Sequence, residues 1–180
     1  MANEYKKTTN LPRTGFPMRA SLAQNEPKRL ALWNQNALYE LLMKKNEGHE
    51  KFVLHDGPPY ANGPIHLGHA QNKISKDIIN RYKAMRGFQT PYIPGWDCHG
   101  QPIEHKVEEM LGTEKFNALP TEKIRELCRK MAVEQVDTQR QGFKRLGVLA
   151  KWDDPYLTYT PDYDATDIEI FKAIFDKGAV

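Results

Sequence analysis

Two short segments hold most of the residues able to do chemistry. The first runs from Asp56 to His69 and reads Asp-Gly-Pro-Pro-Tyr-Ala-Asn-Gly-Pro-Ile-His-Leu-Gly-His. His66 and His69 stand three apart, so on a helix their imidazoles share one side of the first turn. A helix beginning near Ile65 to Leu67 offers unpaired backbone N–H groups and a partial positive charge, which suit a phosphate. Gly57, Gly63 and Gly68 allow close backbone approach to a ligand, and Pro58, Pro59 and Pro64 stiffen the loop. The chemistry this permits is hydrogen bonding to phosphate oxygens. The pattern is neither a P-loop nor a Gly-x-Gly-x-x-Gly turn. A plainer reading stays open, in which the histidines are a helix cap and a surface side chain. A zinc site drawing on Cys98 and His99 is disfavoured, because the spacing matches no usual Cys or His ligand pattern.

The second segment runs from Pro94 to Gly100 and concentrates Trp96, Asp97, Cys98 and His99. Asp97 could hold a ligand cation such as an ammonium group, or cap its own turn. Cys98 reads as pocket lining, since nothing in the sequence argues for an activated thiolate.

Elements must bring the two segments together. Phe52-Val53-Leu54 reads as a buried strand before the first loop, and Thr90-Pro91-Tyr92-Ile93 as a second strand before the other. Between them Leu67, Ala70, Ile74, Ile78, Tyr82 and Met85 form an apolar helical stripe. Lys73, Lys76, Asp77, Asn80 and Lys83 lie on its other face, and Gly87 closes the helix. Strand, loop, helix, strand, loop, helix is the order of a parallel α/β sheet, whose ligands sit outside the carboxyl ends of the strands. Both loops should therefore face one crevice.

Upstream, residues 1 to about 25 read as an extended arm. A helix from Glu26 to Gly48 follows, with Pro27 in its first turn and Leu30, Trp33, Ala37 and Leu41 on one face. Downstream, helices are expected over about Pro102–Leu111, Thr121–Leu146 (Thr121 as N-cap) and Asp162–Lys177. Ile124, Leu127, Met131 and Phe143 should point inward from the second, and Ile168, Phe171, Ile174 and Phe175 from the third. Gly178 caps the last helix, and Ala179-Val180 read as the start of another strand, which suggests a fragment.

The 180 residues suit one domain with a sizeable core. Hydrophobic residues make up 39%, which argues for a folded chain. Lys and Arg number 26 against 23 Asp and Glu, a net charge of +3 that neither demands nor excludes nucleic acid. Cys98 and Cys128 suit two free thiols in a reducing cytosol. No secretory leader or membrane span is legible, so a soluble cytoplasmic protein is expected.

His55 to Lys73 resembles the first nucleotide-binding motif of the class I aminoacyl-tRNA synthetases, and Pro91 to Glu104 is similar to the second block of their isoleucyl members. The arm Phe-Pro-Met-Arg-Ala-Ser-Leu and the stretch from Arg145 to Tyr159 also resemble that family, so the likeness covers nearly the whole chain. The resemblance implies an N-terminal arm and helix over 1–47, and over 48–180 the first half of a Rossmann-like parallel-sheet nucleotide-binding fold, cut before the editing insertion. It implies ATP-dependent activation of isoleucine and transfer to tRNA(Ile). By the same carry-over His66 and His69 are catalytic. ATP is held by Pro59, Tyr60, Ala61, Asn62, Gly63, Pro64, Ile65, His66, Leu67, Gly68 and His69, with Gly68 leaving room for adenine. Pro58, Trp96 and Asp97 bind the amino acid. Cofactors are ATP with Mg; zinc is expected only in a C-terminal part beyond these residues. No Lys-Met-Ser-Lys-Ser loop occurs here, so full activity alone is not expected. Gln101 departs from the usual Leu and adds an amide at a helix start. A nucleotidylyltransferase with a His-x-Gly-His helix start, or a non-catalytic nucleotide-binding paralogue, is the alternative.

Overall fold

The computed structural model describes residue 8, residue 10, residues 14–17 and residues 19–179. Residues 1–7, 9, 11–13 and 18 of the expected arm, and Val180, lie outside the described residues. Seven helices and two short strands follow: α1 (Leu22–Gln35), α2 (Leu38–Lys45), α3 (Leu67–Met85), β1 (Gly95–Trp96), α4 (Gln101–Leu111), α5 (Thr113–Asn117), α6 (Thr121–Arg145), β2 (Tyr156–Leu157) and α7 (Pro161–Phe175).

β1 and β2 pair in parallel, with Gly95 opposite Tyr156 and Trp96 opposite Leu157. The two expected strands are not formed as such. The segments that hold them touch in parallel at their two ends, through Lys51 with Gln89 and Tyr60 with Asp97. The ladder fails between those points because side chains take the backbone groups. Tyr39 Oη accepts the Tyr92 N–H at 3.1 Å, and an Asp56 carboxylate oxygen accepts the Gly95 N–H at 3.3 Å. Pro58, Pro59, Pro91 and Pro94 supply no N–H at all. β2, unforeseen in sequence, docks on the far side of the 89–97 segment. Lys151, Tyr156 and Thr158 donate backbone N–H groups to Tyr92, Pro94 and Trp96 at 3.0, 3.0 and 3.3 Å. The result is a small parallel α/β sheet whose middle segment ends in the second loop.

Tyr156 also explains Gly95. A Cβ there would lie 2.0 Å from the Tyr156 ring, so only glycine lets the phenol cross the strand. The Tyr156 hydroxyl then donates to the Asp56 carbonyl at 2.6 Å.

The single upstream helix is in fact two. Ala37 adopts a left-handed conformation (φ 46) and separates α1 from α2. α1 begins at Leu22, so Pro27 falls inside the helix rather than in its first turn. The break rotates the buried face: Leu30 and Trp33 stay half-buried, while Ala37 and Leu41 are exposed. Thr121 opens α6 as its first residue, with Pro120 at the cap position.

The core lies between α4, α6 and the sheet. It contains Tyr92, Trp96, Ile103, Val107, Met131 and Phe143 among others, with Ile124 and Leu127 packed against it. Trp152 stacks on Phe143 with ring centroids 6.2 Å apart. α7 corrects its expectation: Ile168, Phe171, Ile174 and Phe175 are all exposed, and the helix has no buried residue.

α3 corrects a second one. Its buried residues are Lys73, Asp77, Asn80 and Ala84. The apolar stripe faces out, with Ile78 61% and Met85 78% exposed, and Leu67, Ile74 and Tyr82 exposed as well. Buried acceptors reverse the helix. Asp56 is fully buried and ion-paired with both Lys73 and Lys76. Asp77 accepts the Leu149 N–H at 2.9 Å and pairs with Arg81. Charges without a partner cannot be left in a core, so their partners decide which face turns inward.

Candidate active site

The first loop reaches α3 at His66, whose backbone is extended (φ −125, ψ 178) and which caps the helix. His66 Nδ1 accepts the N–H groups of Gly68 at 3.1 Å and His69 at 3.4 Å. His69 Nδ1 accepts the His66 N–H at 3.3 Å, closing a reciprocal capping box. The two rings stack at 3.9 Å. The helix-cap reading is therefore right as far as it goes, and two N–H groups expected to face a ligand are already taken.

The cap also fixes the chemistry left over. An Nδ1 that accepts a hydrogen bond carries no proton, so in the neutral ring the proton sits on Nε2. This hydrogen-bond pattern assigns each imidazole an Nε2–H donor at the mouth of α3. Burial, the neighbouring His66 and then Lys73 hold the His69 pKa below the usual histidine value. Phe143 meets the His69 ring edge-on at 6.4 Å. Gly68 belongs to this arrangement. A Cβ on it would stand 3.0 Å from the His66 ring, so its absent side chain makes room for the capping imidazole.

Asp97 is brought beside the first loop by two backbone bonds. Its N–H donates to Pro59 O, and its carbonyl accepts from Ala61, both at 2.9 Å. Its Oδ1 is buried and accepts no hydrogen bond, and His99 Nδ1 lies 3.9 Å from it. That oxygen therefore does not cap its own turn. Pro58, Pro59, Asn62 and Gly63 are half-buried in the same loop; Tyr60, Pro64 and Leu67 are exposed, and Ala61 is buried. Ile65 packs on the core. Trp96 is fully buried, so it lies beneath the loops rather than on an open wall. Cys98 is buried too, and burial pushes its thiol up to about 12, against any role as a nucleophile. Cys98 and Cys128 are free thiols. Gln101 opens α4 in an exposed position, where an amide is tolerated.

Sequence reasoning missed what lies under the loops. Asp56 begins the first loop and binds Lys73 and Lys76. Burial alone would raise its pKa, but the two lysines outweigh burial and hold it below the usual carboxylate value. Lys73 is lowered by burial, against the pull of Asp56. Its ammonium also lies 3.4 Å from Tyr92 Oη and 5.1 Å from the centre of the Phe143 ring. Gln139, from the C-terminal third of α6, bonds to both loops. The signal for Lys73 was present: residues 73, 77, 80 and 84 recur with helical spacing as regularly as the apolar stripe.

Residues 28–180 match the family described as tRNA synthetases class I (I, L, M and V). Among curated relatives, the isoleucine–tRNA ligase of Caldicellulosiruptor saccharolyticus is 51% identical over 177 residues, 98% of this chain and 19% of that protein. That of Limosilactobacillus fermentum is 54% identical over 173 residues, 96% of this chain and 18% of that protein. The chain thus spans about a fifth of the length of the relatives it matches. Among solved structures, a leucyl-tRNA synthetase of Agrobacterium radiobacter, in a ternary complex with tRNA and LeuAMS, superposes with a TM-score of 0.68. The match has 19% identity and covers 89% of this chain and 18% of that one. The two adjoining loops, the parallel segments behind them and a family match over 153 of 180 residues converge, and this chain belongs to the class I tRNA synthetases.

Proposed function

We propose that this chain carries one side of an isoleucine-activating site, within a protein that makes isoleucyl-adenylate and passes the isoleucyl group to tRNA(Ile). Residues 48–180 would form the first half of a Rossmann-like catalytic domain, with 1–47 as its arm and first helices. The observation that carries the reading is the pairing of two Nε2–H donors on α3 with the unbonded carboxylate oxygen of Asp97 on the adjoining loop. One end suits phosphate and the other suits an ammonium group.

In this reading the isoleucine carboxylate attacks the α-phosphorus of ATP. A carboxyl O–P bond forms, the bond to the β-phosphate oxygen breaks, and pyrophosphate leaves with the electron pair. The carboxylate is already ionised, so no general base is required. Catalysis is then positioning and stabilisation of charge on the phosphate oxygens. His66 and His69 donate to those oxygens, and the loop from Pro59 to Gly68 holds the nucleotide. Asp97 fixes the ammonium, Pro58 lines the side-chain pocket and Trp96 supports it from below. Among the described residues no cluster of three or more His, Cys, Asp or Glu could hold a metal, so Mg belongs with the ATP phosphates. No helix among the described residues is long and apolar enough to cross a membrane; a cytoplasmic location belongs to the same proposal.

The test is calorimetric binding of a non-hydrolysable isoleucyl-adenylate analogue to the chain. The expected result is saturable binding that weakens about 10- to 100-fold in Asp97→Asn, the worth of a charge-assisted hydrogen bond of about 1.5–3 kcal/mol. Affinity for ATP should change much less in that variant. Undiminished binding by the double variant His66→Ala, His69→Ala would overturn the proposed roles. In pyrophosphate exchange the chain alone should turn over far more slowly than a complete synthetase.

A further inference from the structure

The geometry points to Gln139 as a positioning residue that clasps the nucleotide loop to the amino-acid loop, an inference that rests on the function proposed above. Gln139 is fully buried in the C-terminal third of α6. Its Nε2 donates both protons to the first loop, at 2.9 Å to Tyr60 O and 2.7 Å to Gly63 O. Its Oε1 accepts the Trp96 indole N–H at 3.0 Å, one residue before Asp97. Three of the four hydrogen-bonding positions of one amide are thus spent on two loops that are far apart in sequence.

The carbonyls concerned belong to a loop whose prolines leave it short of backbone pairing. Without Gln139 these two carbonyls would lose their side-chain partner. The ladder contact between the loops, Tyr60 with Asp97, lies beside the clasp. Gln139 therefore sets the separation between the phosphate donors and Asp97. A ligand that spans the two histidines and Asp97 depends on that separation, whereas ATP alone engages the first loop only. The clasp should matter most for the joined ligand, because misplacement by about 1 Å can cost about 100-fold.

The experiment compares wild type, Gln139→Met and Gln139→Glu for affinity toward ATP, isoleucine and the isoleucyl-adenylate analogue. Met keeps the volume and removes every hydrogen bond; Glu keeps the acceptor for Trp96 and loses both donors. Expected is a loss of about 100-fold for the analogue in both variants, against a few-fold for ATP alone. General destabilisation would lower all three affinities together. Wild-type binding of the analogue with Gln139→Met within about threefold of it, less than one neutral hydrogen bond, overturns the clasp and leaves the proposed function standing. Failure of wild type to bind any of the three overturns the proposed function instead. Should both variants fail to fold, exchange of the wild-type Gln139 side-chain amide decides: strong protection supports the clasp, and free exchange overturns it.

Discussion

α3 and α6 are both long, amphipathic and central, yet they turn opposite kinds of face inward. α6 buries Cys128, Met131, Ala132, Val136 and Phe143, with Gln139 as its one polar exception. α3 buries Lys73, Asp77 and Asn80, with Ala84 as its one apolar exception. α6 is held by removal of apolar area from water, which is roughly proportional to area and indifferent to direction. α3 is held by charges that must each meet a partner, which is directional and unforgiving of loss. The helix that carries His69 is therefore seated by the same ion cluster that receives the start of the first loop.

The sharpest break in this comparison is at Asp56. Asp56→Ala leaves the Lys73 ammonium buried without a counter-charge and should cost about 3–5 kcal/mol, read from denaturant unfolding. Asp56→Leu combined with Lys73→Met should be much less destabilising than the sum of the single changes, because the double change removes the charge as well as its partner. Additive losses would show that the pair contributes only packing. The pH dependence has a definite sign. Asp56 is held below its ordinary 3.8, so its contribution is full above that pH and is lost as the pH falls through the folded-state value.

On α6 the corresponding change is Met131→Ala, expected to cost about 2–5 kcal/mol through lost transfer energy and a residual cavity. The contrast is in the remedy. Met131→Leu should restore nearly all of the loss, with a residual cost of less than about 1.5 kcal/mol. No apolar replacement of Asp56 alone should do the same, because Lys73 would still be stranded.

These two helices also show what the sequence could and could not disclose. The helix start at His66 and the meeting of the two loops were legible because their signals are local: two histidines three apart, glycines and prolines at fixed offsets, and an aspartate in a tight loop. The core face of α6 was legible for the same reason, through Ile124, Leu127, Met131 and Phe143. The inward face of α3 was not, because residues 73, 77, 80 and 84 have the same helical spacing as the apolar stripe. Only a partner from the first loop, seventeen residues away in the case of Lys73, decides between them. The first expected strand does not form, and the second was placed ahead of Gly95–Trp96, for a related reason. Phe52–Leu54 has strand-like composition, but the Tyr39 hydroxyl and the Asp56 carboxylate take backbone groups that a ladder would need. Gln139 was illegible because one amide on an amphipathic helix looks like any solvated glutamine until both loops close on it.

A smaller effect belongs to His69, where α3 and α6 meet through Phe143. Its folded-state pKa lies below 6.5, so as the pH falls from 6.5 the unfolded chain takes up a proton that the folded site resists. Stability should decline as the pH falls through that interval and level off once the folded ring protonates as well. Protonation also removes the Nδ1 acceptor that closes the cap. In His69→Gln the difference in unfolding free energy between pH 7.5 and pH 5 should be smaller than in wild type. An unchanged difference would place the titrating group elsewhere.

The smallest effect should come from the outward stripe of α3. If its apolar residues contribute nothing to the seating of the helix, Ile78→Lys should change unfolding free energy by no more than about 0.5 kcal/mol. Lysine is also nearly as good a helix former as leucine, so the local cost is negligible. The same substitution at Met131 would bury an unpaired ammonium and should abolish folding. A large loss from Ile78→Lys would mean that α3 is seated through its apolar face, and the assignment of Asp56, Lys73 and Asp77 as its anchors would fall with that result.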